Sequence, residues 1–282
     1  MTKSSTVDLL NTLGLGVVGN FAGHLEQAGE SKEFNAHHPI EREVPKGLFP
    51  FYIPGYPTKK VGEFPYSSDK IVLPKEPCQL QFEAEVGLYC DIVYDGQLVK
   101  NVIPRMFTVF NDCSIRINDG RKLSEKKNWG VGSKGVGAPW VELQGPLNPG
   151  CLLDAYSLIA YIKRDAVLHQ AIPVSPVVEY SYFHQELLDW VVHQLNSQPE
   201  TIPLESLPWV LEVAHYPKTL LLSVGATRYT EFGSSNYLKL GDEVLLSLFN
   251  HQELSLSEVT ELVGRGVPSK NCLLLRQQLS VI

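Results

Sequence analysis

Cysteine is scarce and unpatterned in this sequence. Cys78, Cys90, Cys113, Cys151 and Cys272 are odd in number and scattered, with no CxxC pair and no Cys/His cluster at zinc spacing. That excludes a zinc finger or a disulfide scaffold and reads as reduced core thiols of a cytosolic protein. Long apolar runs are missing too. No stretch approaches the roughly 18 residues of a membrane span, and Met1 to Asn20 carries Lys3 and Asp8 where a secretory leader needs a continuous apolar segment. The expected location is the cytoplasm, with no membrane partner. Basic charge falls short as well: 24 Lys and Arg against 31 Asp and Glu leave a net charge of −7. Nucleic-acid affinity rests on a basic face, so no nucleic-acid partner is expected. What remains is 282 residues, 44% apolar and 20% charged. That is long enough to bury a full core without staples, and it is read as one domain over 1–282.

Residues 1–30 open on a short helix-like segment and a cluster of glycines. Residues 31–78 are rich in proline, which blocks helices and ladder donation, and read as loop. From Leu80 to Ile92 apolar residues alternate with Gln81, Glu83, Glu85, Gly87, Tyr89 and Asp91, the pattern of a half-buried strand with one apolar face. Asp95-Gly96 predicts a hairpin turn into a strand-like Val102–Ile117. Gly130–Gly137 reads as a glycine-rich loop. Strands are expected over Tyr156–Ile162 and Val167–Ile172, joined at Lys163 to Asp165, and again over Thr219–Thr227 and Glu243–Phe249. Phe183–Leu195 has helical apolar spacing, residues 198–218 read as a Pro-containing insertion, and Ser255-x-x-Glu258 is a capping box before a helix that stops at Gly264. The fold class is α+β, mostly β, with few helices.

Gly14-Leu15-Gly16-Val17-Val18-Gly19 matches GxGxxG literally. A dinucleotide site also needs a preceding strand, a following helix and an acidic residue about 20 positions on. Val7 to Thr12 reads as helix as readily as strand, and Pro-rich loop follows, so the motif alone carries little.

Glu83 and Glu85 project from one strand face. Like charges that close repel unless they are solvated or share a cation. Two readings follow: an exposed polar face with Gln79 and Gln81, or part of an oxygen-ligand site for Mg²⁺ or Mn²⁺ that needs a third carboxylate. Four blocks then resemble the fumarylacetoacetate hydrolase family. Gly19-Asn20-Phe21-Ala22-Gly23-His24-Leu25-Glu26-Gln27-Ala28-Gly29 is similar to its N-Y-x-x-H-x-x-E-x-G lid segment. Phe82-Glu83-Ala84-Glu85-Val86 is similar to its Y-E-x-E-L strand. Asn111-Asp112-Cys113-Ser114-Ile115-Arg116 is similar to N-D-x-S-x-R, and Gly132-Ser133-Lys134 with Ala138-Pro139-Trp140 is similar to its lysine loop and G-P-W. Weaker likeness continues through Glu186-Leu187-Leu188 to Tyr237-Leu238-Lys239-Leu240-Gly241-Asp242, so the resemblance covers about residues 16 to 250.

The resemblance implies a mixed β-sandwich roll, usually a homodimer, whose metal is held by residues matching Glu83, Glu85 and Asp112. It implies a small oxo-acid substrate. The chemistry expected is C–C cleavage of a 2,4-dioxo acid of the acylpyruvate or oxaloacetate type, by hydrolysis or decarboxylation. His24 matches the residue that orients or deprotonates water, Lys134 the one that stabilises developing negative charge, and residues 31–65 a lid. Arg116, Tyr52, Thr227 and Asn20 fall at substrate-binding positions. The pattern also departs from the family. Gln27, with Glu26 beside it, stands where the histidine's glutamate partner belongs, and Gln27 cannot take a proton. Tyr52 stands where a cation is expected, and Gly225-Ala226-Thr227 replaces G-T-P. His38-Pro39-Ile40-Glu41 offers a second H-x-x-E. These departures leave two other readings open: isomerisation or hydration of an unsaturated 2-oxo acid on the same metal, or a non-catalytic small-molecule binder. Taken singly, His24 also reads as a helix-end histidine, Lys134 as a surface lysine, Asp112 as a turn residue, and Arg116 as a partner for a carboxylate.

Overall fold

The computed structural model describes residues 7–24, 27, 44–58, 60–76, 78–116 and 122–281. Its centre is the hairpin of β6 (Ala84–Asp95) and β7 (Leu98–Asp112), turned at Gly96 with φ +61°. On β6 lies β13 (Thr219–Ser223), antiparallel to it. β1 (Leu13–Val18) runs parallel to β13, and β2 (Gly47–Tyr52) closes that edge antiparallel to β1. Beyond β7 come β9 (Lys134–Val136), β3 (Tyr66–Ser67) and, also on β7, β10 (Val141–Glu142). A second sheet orders β12 (Val167–Pro176), β11 (Tyr156–Arg164), β14 (Glu243–Asn250), β15 (Cys272–Ser280) and β4 (Lys70–Val72). A two-stranded ribbon pairs β5 (Leu80–Gln81) with β8 (Ser114–Ile115). Parallel and antiparallel pairs are mixed, and the main apolar core lies between the two large sheets.

Helices are few. α1 (Leu123–Lys127) lies beside β2 and β8. α2 (His184–Ser197) packs on β7 through Leu187, Leu188, Val191 and Leu195, all buried, and α3 (Leu207–Val213) packs on α2. A fully buried Leu or Val is worth about 1.5–3 kcal/mol over an exposed one, so that stripe fixes α2 despite a first residue at φ +54°. α4 (Glu231–Ser235) and α5 (Leu256–Arg265) follow among the described residues.

Several expectations change. The alternating segment is not half exposed: β6 lies between β7 and β13, so Gln81, Glu83 and Glu85 are all buried. Within the lid expected over 31–65, Gly47–Tyr52 form a strand of the main sheet. Residues 31–43 lie outside the described ones, while β2 is buried along its whole length and β3 follows at Tyr66. Residues 198–218 contain α3 and are not a simple loop. Lys134 begins a strand instead of sitting in a loop, and α5 stops at Gly266 in the left-handed region, two residues past Gly264. The GxG glycines lie in β1 itself, where the rings of Phe51 and Phe49 pack against the positions side chains would fill. Close aromatic packing, not phosphate approach, explains them.

Candidate active site

The open end of the β6–β7 hairpin carries the chemistry. Glu83 sits in the kink between β5 and β6, Glu85 is the second residue of β6, and Asp112 ends β7. Main-chain pairing locks them together, with the Asp112 amide donating to the Glu83 carbonyl at 3.0 Å. The result is three buried carboxylates, each with an oxygen within 4.8 Å of one on the others. Around them Val17, Val18, His24, Phe49, Lys127 and Ala226 help close a cavity. It leaves about 20 Å³ for the centre of a water-sized sphere, room for one water or one ion.

The carboxylates are not equivalent. Glu83 meets Arg116 Nη2 at Oε1 and Lys127 Nζ at Oε2, the latter at 2.5 Å, with His24 Nε2 3.7 Å from Oε1. Burial would raise its carboxyl, but Lys127 and Arg116 overcome that and hold it well below the usual range. Asp112 Oδ2 meets Lys127 at 2.8 Å. Its Oδ1 lies 2.7 Å from Lys134 Nζ as an ion pair that is not aligned as a hydrogen bond. Glu85 takes neutral donors at Oε2, the Ser223 hydroxyl at 2.6 Å and the Gly225 amide at 2.9 Å. Burial, then the charges of Asp112 and Glu83, push its carboxyl well above the usual range.

His24 has a defined tautomer. Its Nδ1 lies 2.8 Å from the Thr227 carbonyl. A carbonyl only accepts, so Nδ1 carries the proton and Nε2 faces the cavity as the acceptor when the ring is neutral. The Thr227 hydroxyl is buried with no hydrogen-bond partner among the described residues.

Other expected site residues lie elsewhere. Glu26 and the His38/Glu41 pair fall outside the described residues. Gln27 clamps the Tyr229 backbone, its amide donating to the carbonyl and accepting from the N–H, and borders a different cavity of about 460 Å³ with Phe21, Glu179 and Arg228. Asn20 is spent on backbone groups of Tyr182 and Val224. The Tyr52 hydroxyl donates to the Leu10 carbonyl inside an aromatic cluster with Phe64 and Tyr66. Arg116 spans Gln81, Ser114, Glu83 and Tyr229. Lys134 is fully buried behind Asp112, and the carbonyls of Cys113, Lys127 and Ser133 accept from its ammonium. Burial pushes Lys134 below the usual lysine range, opposed by Asp112 and helped by Lys127. The lysine that lines the cavity is Lys127, the last residue of α1, which sequence reasoning passed over. Its only signal was a Lys126-Lys127 pair of the kind that ordinarily marks a solvated face. A second group that could hold a metal, Cys151, Asp154 and His184, is partly exposed and internally bonded, with His184 Nε2 2.7 Å from Asp154.

Comparison with known proteins follows this geometry. The profile of the family described as "Family of unknown function (DUF5718)" matches residues 30–279. No curated protein matches the sequence. Among solved structures, Cg1458 with an inhibitor aligns over 97% of this chain and 78% of its own, at 15% identity and TM-score 0.55. A 2-keto-3-deoxy-D-arabinonate dehydratase complexed with magnesium and 2,5-dioxopentanoate aligns over 96% and 73%, at 13% identity and TM-score 0.53. A putative HpcE protein from Mycobacterium smegmatis aligns over 95% and 74%, at 14% identity and TM-score 0.52. The chain shares the fumarylacetoacetate hydrolase fold of these structures, and its buried carboxylates form a donor set of the kind divalent metals take.

Proposed function

We propose that this chain, which belongs to the family of unknown function DUF5718, is a divalent-metal-dependent enzyme that cleaves a C–C bond of a small 2,4-dioxo acid. The observation that carries this reading is the trio Glu83, Glu85 and Asp112, buried around an ion-sized cavity. A buried, all-oxygen set of three carboxylates suits Mg²⁺ or Mn²⁺. That fit supports the metal. A dehydratase of the same fold bound to magnesium and an oxo acid supports the substrate class.

Glu83, Glu85 and Asp112 would hold the ion, which when bound supplies Lewis acidity to a substrate carbonyl. His24 Nε2 is the group placed to take or return a proton, its tautomer fixed by the Thr227 carbonyl. Arg116 fixes the Glu83 carboxylate through Oε1.

Within this class the surroundings of His24 favour decarboxylation of an oxaloacetate-type acid over hydrolysis. Among the described residues its Nδ1 is backed by the Thr227 carbonyl and not by a carboxylate, and Gln27 is engaged with the Tyr229 backbone instead of the ring. The test is a screen of oxaloacetate and acylpyruvates with Mg²⁺ or Mn²⁺, on wild type and His24→Gln. The reading expects metal-dependent pyruvate formation from oxaloacetate that survives His24→Gln better than any acylpyruvate hydrolysis does. Metal-independent turnover, or none with any of these acids, would overturn it.

A further inference from the structure

Two of the three carboxylates already hold a cation belonging to the chain. Lys127 Nζ stands 2.5 Å from Glu83 Oε2 and 2.8 Å from Asp112 Oδ2, and the side chain is almost wholly buried. Its stem crosses the Phe49 ring, with Nζ 5.5 Å from the ring centroid, and its own carbonyl is tied down by Lys134. With Arg116 on Glu83 Oε1 and Lys134 beside Asp112 Oδ1, both oxygens of both carboxylates face a cation. Formally, three carboxylates meet three cationic side chains. The cavity has room for one ion. An ion bound to Glu83 and Asp112 would sit within a few ångströms of the ammonium, where like charges in a buried site repel strongly.

We infer that Lys127 is a tethered cation that holds the Glu83 and Asp112 oxygens a divalent ion would take, and has to give them up before a metal binds. The inference rests on the metal reading above and goes beyond it, because it assigns a resting state in which the triad is neutralised without metal. Lys134 is not the exchanging group. Its ammonium faces three carbonyls and Asp112 and has no proton to spare. Lys127, at the C-terminal end of a five-residue helix with four rotatable bonds to its ammonium, is the cation that can move. Metal loading then comes before substrate binding and frees an ammonium inside the same cavity.

The test is Mn²⁺ affinity of the metal-stripped full-length protein, read from the free-Mn²⁺ electron paramagnetic resonance signal, for wild type, Lys127→Met and Lys127→Arg. Lys127→Met is expected to bind Mn²⁺ at least tenfold tighter than wild type. Lys127→Arg, which keeps the charge, should bind no tighter than wild type. Without metal, Lys127→Met should melt below wild type and regain the difference when Mn²⁺ is added. Should Lys127→Met fail to fold, Lys127→Gln, which still donates to the carboxylates, carries the same expectation. Equal Mn²⁺ affinity in wild type and the neutral variants overturns the inference and leaves the metal reading standing. No Mn²⁺ bound by any variant overturns the metal reading and this inference with it.

Discussion

Arg116 offers the sharpest test of how the carboxylate cluster is held. Its guanidinium reaches Gln81 Oε1 at 2.8 Å, Ser114 Oγ at 3.2 Å, the Tyr229 hydroxyl at 3.1 Å and Glu83 Oε1, with the Arg and Glu side chains only 7% and 3% exposed. Removing one partner of a buried ion pair costs about 3–5 kcal/mol, because a charge is left uncompensated. Lys127 still holds Glu83 Oε2, so Arg116→Ala is expected near the lower end, about 3 kcal/mol. Unfolding entropy of about 2.1 cal/mol/K per residue over 282 residues gives about 0.6 kcal/mol per degree. The melting temperature of metal-free Arg116→Ala should therefore fall by about 5 °C. Arg116→Lys keeps the charge but loses the fork, and with it two neutral hydrogen bonds worth about 1 kcal/mol each. It should fall about two-thirds as far, by about 3 °C. Because the pair is buried, both shifts should persist at high salt, unlike those of a surface pair. Scanning calorimetry at low and high salt reads this directly. A melting temperature for Arg116→Ala within a degree of wild type would refute the reasoning.

Two further outcomes follow from the geometry. Glu85 is held above the usual carboxyl range, so its contribution to stability is full below the unfolded value and is lost as pH rises through the folded one. Metal-free Glu85→Gln should therefore gain on wild type in melting temperature as pH rises from about 4 to 8, while Mg²⁺ should stabilise wild type and not the variant. Asn20, itself fully buried, bonds three backbone groups at 2.8–2.9 Å. Asn20→Ala should cost about 3 kcal/mol by urea unfolding, and unchanged KM in the surviving enzyme would separate this clamp from a substrate contact.

Much of the fold was legible because its signals are local. The alternation around Glu83 and Glu85, the Asp95-Gly96 turn, the apolar stripe of α2 and the Ser255/Glu258 capping box each predict an element that is present. Burial of both faces of β6 was not legible, because alternation reports one polar face and cannot report that cations will cover it. Proline density misled over 47–52, where Pro50 sits in β2 at the sheet edge. At the site, spacing singled out Glu83 and Glu85 and the family resemblance added Asp112, and the structure brings the three within reach of one another. Lys127 could not be picked out. Its place depends on α1 lying beside β2 and on the register that sets Lys134 opposite Asp112, and neither leaves a mark in a run of charged residues. The same register separates the two lysines, one saturated by carbonyls and one facing the cavity.

The most direct test of the central claim is anomalous diffraction at the manganese edge from crystals soaked in Mn²⁺. The account predicts one strong peak bonded to oxygens of Glu83, Glu85 and Asp112, with Lys127 Nζ displaced from Glu83 and Asp112. Crystals soaked to saturation that show no peak there, with the ammonium still bridging those two carboxylates, would contradict it.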